Sequence, residues 1–327
     1  MAGPGAGPVS APDVRDRVVG CVLGLALGDA LGAPFEFRRA HDIPSPVPAF
    51  QLPWQGLPPG STTDDTAMAM NLVRSLADRG ELDPDDVAAR HVEWFRSDPP
   101  DVGTLTRRVL ARVAAGVPAE EAARAVWEER GPEVSAGNGS VMYCAPLGAA
   151  YAGRREALSD AAPRLSGITH HDGRCRTAVL AVTVAVAALV AGESTEEALE
   201  EALAAALDRD GGEELEFLAG AVGTIRPVDG PDQGFCLFTA ALGLQALARA
   251  SELGTPTHEV FEHELRRVVS LGGDTDTNAA VAGALLGAAA GAAHLPGEWL
   301  DRLQARDEIE FEAERLALIA KRTKRTD

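Results

Sequence analysis

Apolar residues recur along this chain mainly at the three- and four-residue spacing of α-helices. The first predicted helix follows a capping Asp13, and residues 18–27 are apolar on nearly every face, as in a helix that is buried all round. The same spacing predicts helices near residues 65–80, 84–97, 103–115, 118–130, 140–153, 174–191, 194–208, 213–223, 235–252, 257–270, 277–293 and 307–320. The alternation typical of half-buried strands is scarce, so the sequence predicts an all-α fold.

The organisation of the chain predicts one compact multi-helix domain over residues 13–320, flanked by disordered tails at 1–12 and 321–327. The first tail is rich in glycine, alanine and proline, and it lacks the basic and apolar regions of a secretory signal. No internal repeat or clear linker divides the domain. Glycines at positions 20, 24 and 28 share one face of the first helix and predict the close approach of another helix.

The composition and charge of the chain narrow the choice of partners. The 327 residues carry a formal net charge of −19, and 46% of them are hydrophobic, which is enough for a sizeable core. An acidic surface argues against nonspecific nucleic-acid binding and against an anionic membrane surface. The four scattered cysteines are typical of a reduced cytoplasmic protein. The most apolar run, 177–192, is shorter than the roughly 20 residues of a membrane span, and we expect a soluble protein that acts as a monomer.

Two acidic turns, each placed ahead of a predicted helix, carry the candidate chemistry. The first is Thr63-Asp64-Asp65-Thr66, and the second is Gly272-Gly273-Asp274-Thr275-Asp276-Thr277. Residues two apart on a regular helix point in nearly opposite directions, so both carboxylates of the second turn can face one ion only from a loop and a first helical turn. Carboxylate and hydroxyl oxygens suit Mg²⁺ or Mn²⁺, and no cysteine–histidine cluster in the sequence competes for a softer metal.

The charge of these turns favours a metal site over simple helix capping. Four carboxylates brought together would repel one another, and two divalent cations would offset that repulsion. Aspartate and threonine are also common N-terminal caps of helices, and capping explains the first turn alone as well as a metal does. The presence of both turns in one chain favours a metal site at converging helix N-termini, which requires the long intervening segment to fold back.

Five motifs together resemble those of the ADP-ribosylglycohydrolase family, which includes the dinitrogenase reductase-activating glycohydrolases. They are GDALGAPFEF at residues 28–37, TDDT at 63–66, GNGSVM at 137–142, ITH at 168–170 and GGDTDT at 272–277, in the family's order and across most of the chain. The resemblance implies an all-α fold with two Mg²⁺ or Mn²⁺ ions. It also implies hydrolysis of the glycosidic bond between ADP-ribose and a modified protein side chain, arginine first, or a small conjugate.

The resemblance also implies roles for individual residues. The implied metal ligands are Thr63, Asp64, Asp65, Asp274, Asp276 and Thr277. The implied catalytic carboxylates are Glu36 and Asp101, and the implied substrate-binding residues are Gly137, Asn138, Gly139, Ser140 and His170. Without the resemblance, Glu36 would be expected as a solvated loop carboxylate, Asp101 as a helix cap and residues 137–139 as an ordinary turn.

Three positions depart from the family's pattern and leave the identity of the leaving group open. Relatives often carry arginine where this chain has Tyr143, asparagine where it has Thr104, and tyrosine where it has Phe235. Two alternative functions also stay open. One is an ADP-ribose-binding or structural protein of the same fold without turnover. The other is a helical two-metal nucleotide phosphohydrolase, although the His-His-Asp at residues 170–172 lacks the distal acidic partners of that class.

Overall fold

The computed structural model describes residues 12–210, 216–220, 228–254 and 257–323, which are helical over most of their length. The main helices are α1 (Val14–Gly32), α2 (Asp64–Arg79), α3 (Pro84–Arg96), α4 (Thr104–Ala114), α5 (Ala119–Arg130), α6 (Ala145–Ala150), α7 (Arg155–Gly167), α8 (Gly173–Ala191), α9 (Thr195–Asp210), α10 (Cys236–Leu253), α11 (His258–Ser270), α12 (Thr275–Ala290), α13 (Gly297–Leu300) and α14 (Arg306–Thr323). They pack into a single compact domain around one large core, with a small second cluster between α4 and α5, which confirms the predicted all-α fold.

Helices α1 and α12 touch along their glycine faces. A side-chain carbon added to Gly24 would lie 2.2 Å from the carbonyl oxygen of Gly283, and one added to Gly28 would lie 1.9 Å from that of Ala279. One added to Gly32 would lie 2.4 Å from a carbonyl oxygen in the first turn of α12. The two backbones are therefore in direct contact, as the glycine spacing predicts. This contact fixes the acidic start of α12 against the end of α1.

Helices α1 and α8 are buried on almost every side, which explains why their sequences are apolar all round. By length and composition alone, the segments Val14–Phe35 and Gly173–Ala191 could each cross a membrane. Within this fold, 94% and 78% of their apolar windows are buried inside the protein. Packing in the protein core accounts for the composition of both helices.

A two-residue antiparallel ribbon joins the segment after α1 to the segment before α12. Its strands are β1 (Arg38–Arg39) and β2 (Gly272–Gly273). Both glycines have positive φ angles, 72° and 76°, and a side-chain carbon on Gly273 would lie 2.3 Å from the carbonyl oxygen of Val228. Only glycine fits this position without strain. The ribbon is too short to leave an alternating pattern in the sequence, and it holds the segment after α1 beside the segment before α12.

Some predicted helices differ from the observed ones. The prediction of a helix over 140–153 is wrong at both ends, since residues 139–143 form turns and only α6 is helical. The cause is local: the amide N–H groups of Val141 and Met142 both donate to the carbonyl of Asn138. Helix α7 has no counterpart among the predicted elements, because its polar residues and internal Pro163 obscure the helical period. The helix predicted at 213–223 and both predicted tails lie largely outside the described residues.

Candidate metal and substrate site

The start of α2 presents the first acidic turn to the centre of the fold. Thr63 caps the helix, and its hydroxyl accepts the backbone N–H of Asp65. Behind this turn lies Asp29 of α1, a fully buried carboxylate that accepts the N–H groups of Thr63 and Thr66 at 3.0 and 3.1 Å and the Thr66 hydroxyl at 2.5 Å. Burial raises the pKa of Asp29 to about 6, opposed chiefly by the Thr66 hydrogen bond. Asp29 therefore anchors the first acidic turn to α1.

The start of α12 brings the second acidic turn to the same place. Asp274 stands at the N-cap position without a side-chain cap bond, and Asp276 and Thr277 occupy the first helical turn. The hydroxyl of Thr277 lies 3.4 Å from Oδ2 of Asp65, and the hydroxyl of Thr63 donates to that same oxygen at 3.2 Å. Residues more than two hundred positions apart thus share one oxygen, and the two helix N-termini converge.

Two carboxylate oxygens at this meeting point lack a protein partner. Oδ1 of Asp65 and Oδ1 of Asp276 are buried, and neither has a hydrogen-bond donor among the described residues. Burial raises the pKa of both carboxyls well above the usual range. Repulsion from Asp29 raises the pKa of Asp65 further, and repulsion from Asp274 raises the pKa of Asp276 further. Buried anionic oxygens without donors are unfavourable unless a cation binds them. These carboxylate and hydroxyl oxygens therefore fit as ligands of hard divalent cations such as Mg²⁺ and Mn²⁺.

Glu36 and Asp101 lie at the edge of this cluster. Glu36, Asp101 and Asp276 each place a carboxylate oxygen so that all three oxygens lie within 4.8 Å of one another. Burial raises the pKa of Glu36 to about 8, with repulsion from Asp101 as the next cause, while a hydrogen bond from Trp54 opposes the shift. The pKa of Asp64 rises to about 7 through burial and repulsion from Asp101. Titration near neutral pH suits Glu36 for moving a proton.

The loop that starts at Gly137 packs directly against the acidic centre. The Asn138 side chain donates from Nδ2 to Oδ2 of Asp274 at 2.9 Å and to the hydroxyl of Thr239 at 3.0 Å. Its backbone N–H donates to the carbonyl of Gly234 at 3.0 Å. Asn138 therefore connects the predicted substrate loop to an acidic residue of the predicted metal site.

Two further members of the predicted substrate set are buried beside this loop. A side-chain carbon on Gly139 would lie 2.8 Å from Cε1 of His170, so the imidazole requires glycine there. Burial lowers the pKa of His170 to about 4, which keeps the ring neutral. Ser140 is fully buried, and its hydroxyl lies 3.0 Å from that of Ser166, away from the acidic cluster. Ser140 thus supports the loop from within.

One cavity of about 270 Å³ gathers most of the predicted site residues. All of the predicted metal, catalytic and substrate residues line it except Thr63 and Ser140. The cavity wall also includes Phe37 and Arg130, which sequence analysis did not single out. The motif GDALGAPFEF does contain Asp29 and Phe37, but a motif match alone gives neither residue a role. Arg130 ends an ordinary amphipathic helix, and no local signal marks it.

The match to a family model decides the classification. The model described as ADP-ribosylglycohydrolase matches residues 10–326, nearly the whole chain. The chain belongs to the ADP-ribosylglycohydrolase family. It is accordingly an enzyme of the ADP-ribosyl hydrolase type, which hydrolyses ADP-ribose linkages.

Individual relatives of this ADP-ribosylglycohydrolase match along almost their whole length. The chain is 31% identical to the ADP-ribosyl-[dinitrogen reductase] glycohydrolase of Rhodospirillum rubrum, over 95% of this chain and 98% of that protein. It is 29% identical to ADP-ribosylhydrolase ARH3 of Bos taurus, over 97% of this chain and 96% of that protein. A solved structure described as an ADP-ribosylglycohydrolase-related protein complex matches with a TM-score of 0.77 and 34% identity, covering 94% of this chain and 99% of that chain.

The positions that depart from the family's pattern lie in different surroundings within this ADP-ribosylglycohydrolase. Tyr143 is fully buried and packs edge-on against His91, with ring centroids 5.1 Å apart, so it does not reach the cavity. Thr104 lines the acidic cavity. Phe235 lines a neighbouring cavity of about 530 Å³, where its ring centroid lies 5.5 Å from that of Phe238. Among these departures, Thr104 is the one that contacts the acidic cavity itself.

Proposed function

We propose that this ADP-ribosylglycohydrolase is a metal-dependent enzyme that cleaves the glycosidic bond between ADP-ribose and a modified protein side chain, arginine first, or a small conjugate. The observation that carries the proposal is the convergence of two unpartnered carboxylate oxygens, on Asp65 and Asp276, inside a cavity shared with Glu36 and Asp101. Carboxylate oxygens that lack hydrogen-bond donors from the protein are suited to bind cations and a sugar rich in hydroxyl groups.

The residues proposed to hold two divalent cations, Mg²⁺ or Mn²⁺, share oxygen ligands at the two converging helix N-termini. They are Thr63, Asp64, Asp65, Asp274, Asp276 and Thr277. When bound, such cations supply positive charge that orients vicinal ribose hydroxyls and lowers the pKa of water. The protein itself supplies rigidity, because Asp29 and the glycine contact between α1 and α12 hold both turns in place.

The remaining cavity residues are proposed to bind and orient the substrate. Glu36 and Asp101 are the carboxyls that move protons, and their negative charge also stabilises the positive charge that develops at the anomeric carbon. The Gly137–Gly139 turn allows close approach of the ADP-ribose, and neutral His170 holds that turn. Arg130 is the one arginine or lysine among the described residues lining the cavity, so it is proposed to contact the diphosphate.

Arginine is the first choice of modified side chain on grounds of charge. Six carboxylates line the cavity, and a guanidinium leaving group is a planar cation that carboxylates bind well. We also propose that the enzyme is a cytoplasmic monomer that binds neither nucleic acids nor membranes. Its net charge of −19 and its four buried free cysteines support that assignment.

The decisive experiment is mass spectrometry of the products formed from ADP-ribosyl-arginine, ADP-ribosyl-serine and O-acetyl-ADP-ribose, each with added Mg²⁺ or Mn²⁺. We expect intact ADP-ribose from at least the arginine conjugate. Release of phosphate or a mononucleotide would instead indicate a phosphohydrolase. Binding of ADP-ribose without turnover of any conjugate would indicate a protein that only binds.

A pair of variants tests the site within the same assay. Asp276→Ala should abolish both activity and calorimetric Mn²⁺ binding while leaving the helical circular dichroism signal intact, because it removes an oxygen donor from the proposed metal site. Asp85→Ala is the matched control, since Asp85 is an exposed aspartate in the first turn of α3. A fully active Asp276→Ala variant would contradict the site assignment.

A further inference from the structure

Phe37 has a backbone conformation and a side-chain environment that are both unfavourable for a bulky aromatic residue. Its φ angle is +60°, in the left-handed region that glycine and asparagine usually occupy. The residue is 60% exposed, although an aromatic ring normally gains stability from burial. Strained residues of this kind concentrate at functional sites, because the surrounding structure must hold them against the strain.

The hydrogen bonds around Phe37 explain its backbone conformation but not the presence of an aromatic side chain. Its N–H donates to the carbonyl of Gly273 at 2.7 Å, and the next residues, Arg38 and Arg39, pair with β2. A glycine would make the same bonds without the strain. No ring stacking or cation–π contact involves Phe37 among the described residues, whereas Phe35 has Arg38 over its ring. The fold therefore requires the turn at this position and does not require the ring.

The position of Phe37 connects the exposed ring with the chemistry. Phe37 lines the same cavity as Glu36, Asp101 and Asp276, and it directly follows Glu36 in the sequence. The cavity combines six carboxylates with the exposed ring of Phe37 at its edge. An aromatic face beside clustered carboxylates is a suitable environment for a planar organic cation, which gains both charge attraction and cation–π contact.

We propose that Phe37 is a specificity-determining residue whose ring contacts the leaving group of the substrate, the guanidinium of an ADP-ribosylated arginine. This inference rests on the function proposed above and adds to it the residue that recognises the part of the substrate beyond the sugar. The ADP-ribose part contacts the acidic centre and the Gly137–Gly139 turn. The Phe37 ring at the exposed edge of the cavity then contacts the leaving group, which is bonded to the anomeric carbon.

The test compares Phe37→Gly, Phe37→Leu and Phe37→Tyr with the wild type on ADP-ribosyl-arginine and on ADP-ribosyl-serine, whose leaving group is neutral. Phe37→Gly should lower kcat/KM for the arginine conjugate about two- to thirtyfold, the range that a cation–π contact spans. The loss should appear mainly in KM and should be smaller for the serine conjugate. Phe37→Tyr keeps the aromatic face and should restore most of the wild-type value, whereas Phe37→Leu should not.

Two further measurements separate recognition from a structural role. Phe37→Gly should bind free ADP-ribose, which lacks the leaving group, with an affinity within about twofold of the wild type by calorimetry. Its urea-unfolding free energy should be unchanged or higher, since the left-handed strain is removed. Gln55→Gly is the matched control, because Gln55 is also exposed with a positive φ of 45° but does not line the cavity. It should leave both KM values unchanged.

The outcomes that overturn the inference are distinct. If Phe37→Gly weakens free ADP-ribose binding or lowers the unfolding free energy, the ring has a structural role. If only a large ADP-ribosylated protein loses affinity while free ADP-ribosyl-arginine does not, the ring contacts a protein surface instead of the guanidinium. If the wild type turns over the conjugates and Phe37→Gly does so equally well, this inference alone fails. If the wild type turns over none of them, the proposed function fails and this inference falls with it.

Discussion

At the scale of single residues, Arg130 stands out because it is the one arginine or lysine among the described residues that line the acidic cavity. The chain is strongly acidic, yet among the described residues the Nε of this arginine is buried without a partner. Its Nη2 donates only to the carbonyl of Val134, at 3.3 Å. Because Arg130 lines the acidic cavity, its guanidinium is placed to contact an anionic ligand, and the diphosphate of ADP-ribose is the anionic part of the proposed substrate.

We therefore expect Arg130→Met to weaken ADP-ribose binding about ten- to a hundredfold, the loss associated with hydrogen bonds to charged groups. Adenosine lacks the diphosphate, so its affinity should not change. Calorimetric titration with both ligands checks the prediction, and Arg124→Met is the control, since Arg124 is exposed on the same helix. Equal weakening of both ligands would show that Arg130 only supports the cavity wall.

Some residues of the site could be predicted from the sequence, and others could not. The acidic turns are conspicuous, because hydroxyl and carboxylate residues cluster there ahead of apolar helices. Asp29 and Arg130 are not conspicuous, because neither belongs to a cluster of hydroxyl and carboxylate residues, and only the tertiary packing places them at the site. Ser140 shows the opposite case, since its motif implies contact with substrate while its hydroxyl bonds to Ser166 in the interior.

At the scale of elements, the long helices could be predicted because their apolar period is strong and their caps are local. The close pairing of α1 with α12 follows from glycines four residues apart, which is a sequence signal for backbone contact. The ribbon between β1 and β2 could not be predicted, because two-residue strands show no period and depend on which distant loop lies alongside. Helix α6 is shorter than predicted, because a turn at Asn138 replaces the first part of the expected helix.

The pairing of α1 with α12 gives a prediction at this scale. Gly28→Ala should lower the unfolding free energy by about 1–3 kcal/mol or more, because the added carbon would lie 1.9 Å from the carbonyl oxygen of Ala279 and the helices must separate. Separation should also weaken Mn²⁺ binding, since α1 carries Asp29 and α12 carries Asp276. Urea unfolding and calorimetry measure the two effects.

The control for this prediction is another helical glycine with open space around it. Gly297 has no atom within 4 Å of an added side-chain carbon, so Gly297→Ala should be nearly neutral. If Gly28→Ala were as stable as the wild type and bound Mn²⁺ equally well, the central helix pair would not position the acidic turns.

At the scale of the whole molecule, burial concentrates negative charge that the solvent would otherwise stabilise. The chain has 49 acidic and 30 basic residues, and several of its carboxyls are enclosed together between α1, α2 and α12. The folded state therefore holds protons that the unfolded chain would release. The free energy of folding must consequently depend on pH and on divalent cations through the same small group of side chains.

The sign of that dependence follows from three raised pKa values in the cation-free protein: about 6 for Asp29, about 7 for Asp64 and about 8 for Glu36. In the unfolded chain these carboxyls titrate near pH 4. Between about pH 4 and pH 8 the folded state therefore binds more protons than the unfolded chain. The stability that these carboxyls contribute is greatest near pH 4 and is lost as the pH rises through about 6 to 8. In EDTA, the Tm should therefore fall by several degrees between about pH 5 and pH 8.

Divalent cations should reverse this loss, because they bind the deprotonated carboxylates of the folded state and not those of the unfolded chain. With excess Mn²⁺, the Tm at pH 8 should rise to or above its value at pH 5, and the gain should increase with Mn²⁺ concentration. Asp64→Asn removes one of the titrating groups, so it should make the metal-free Tm less dependent on pH and reduce the gain from Mn²⁺. A metal-free Tm that rises steadily from pH 5 to pH 8 would contradict the inward-facing, mutually repelling arrangement of these carboxyls.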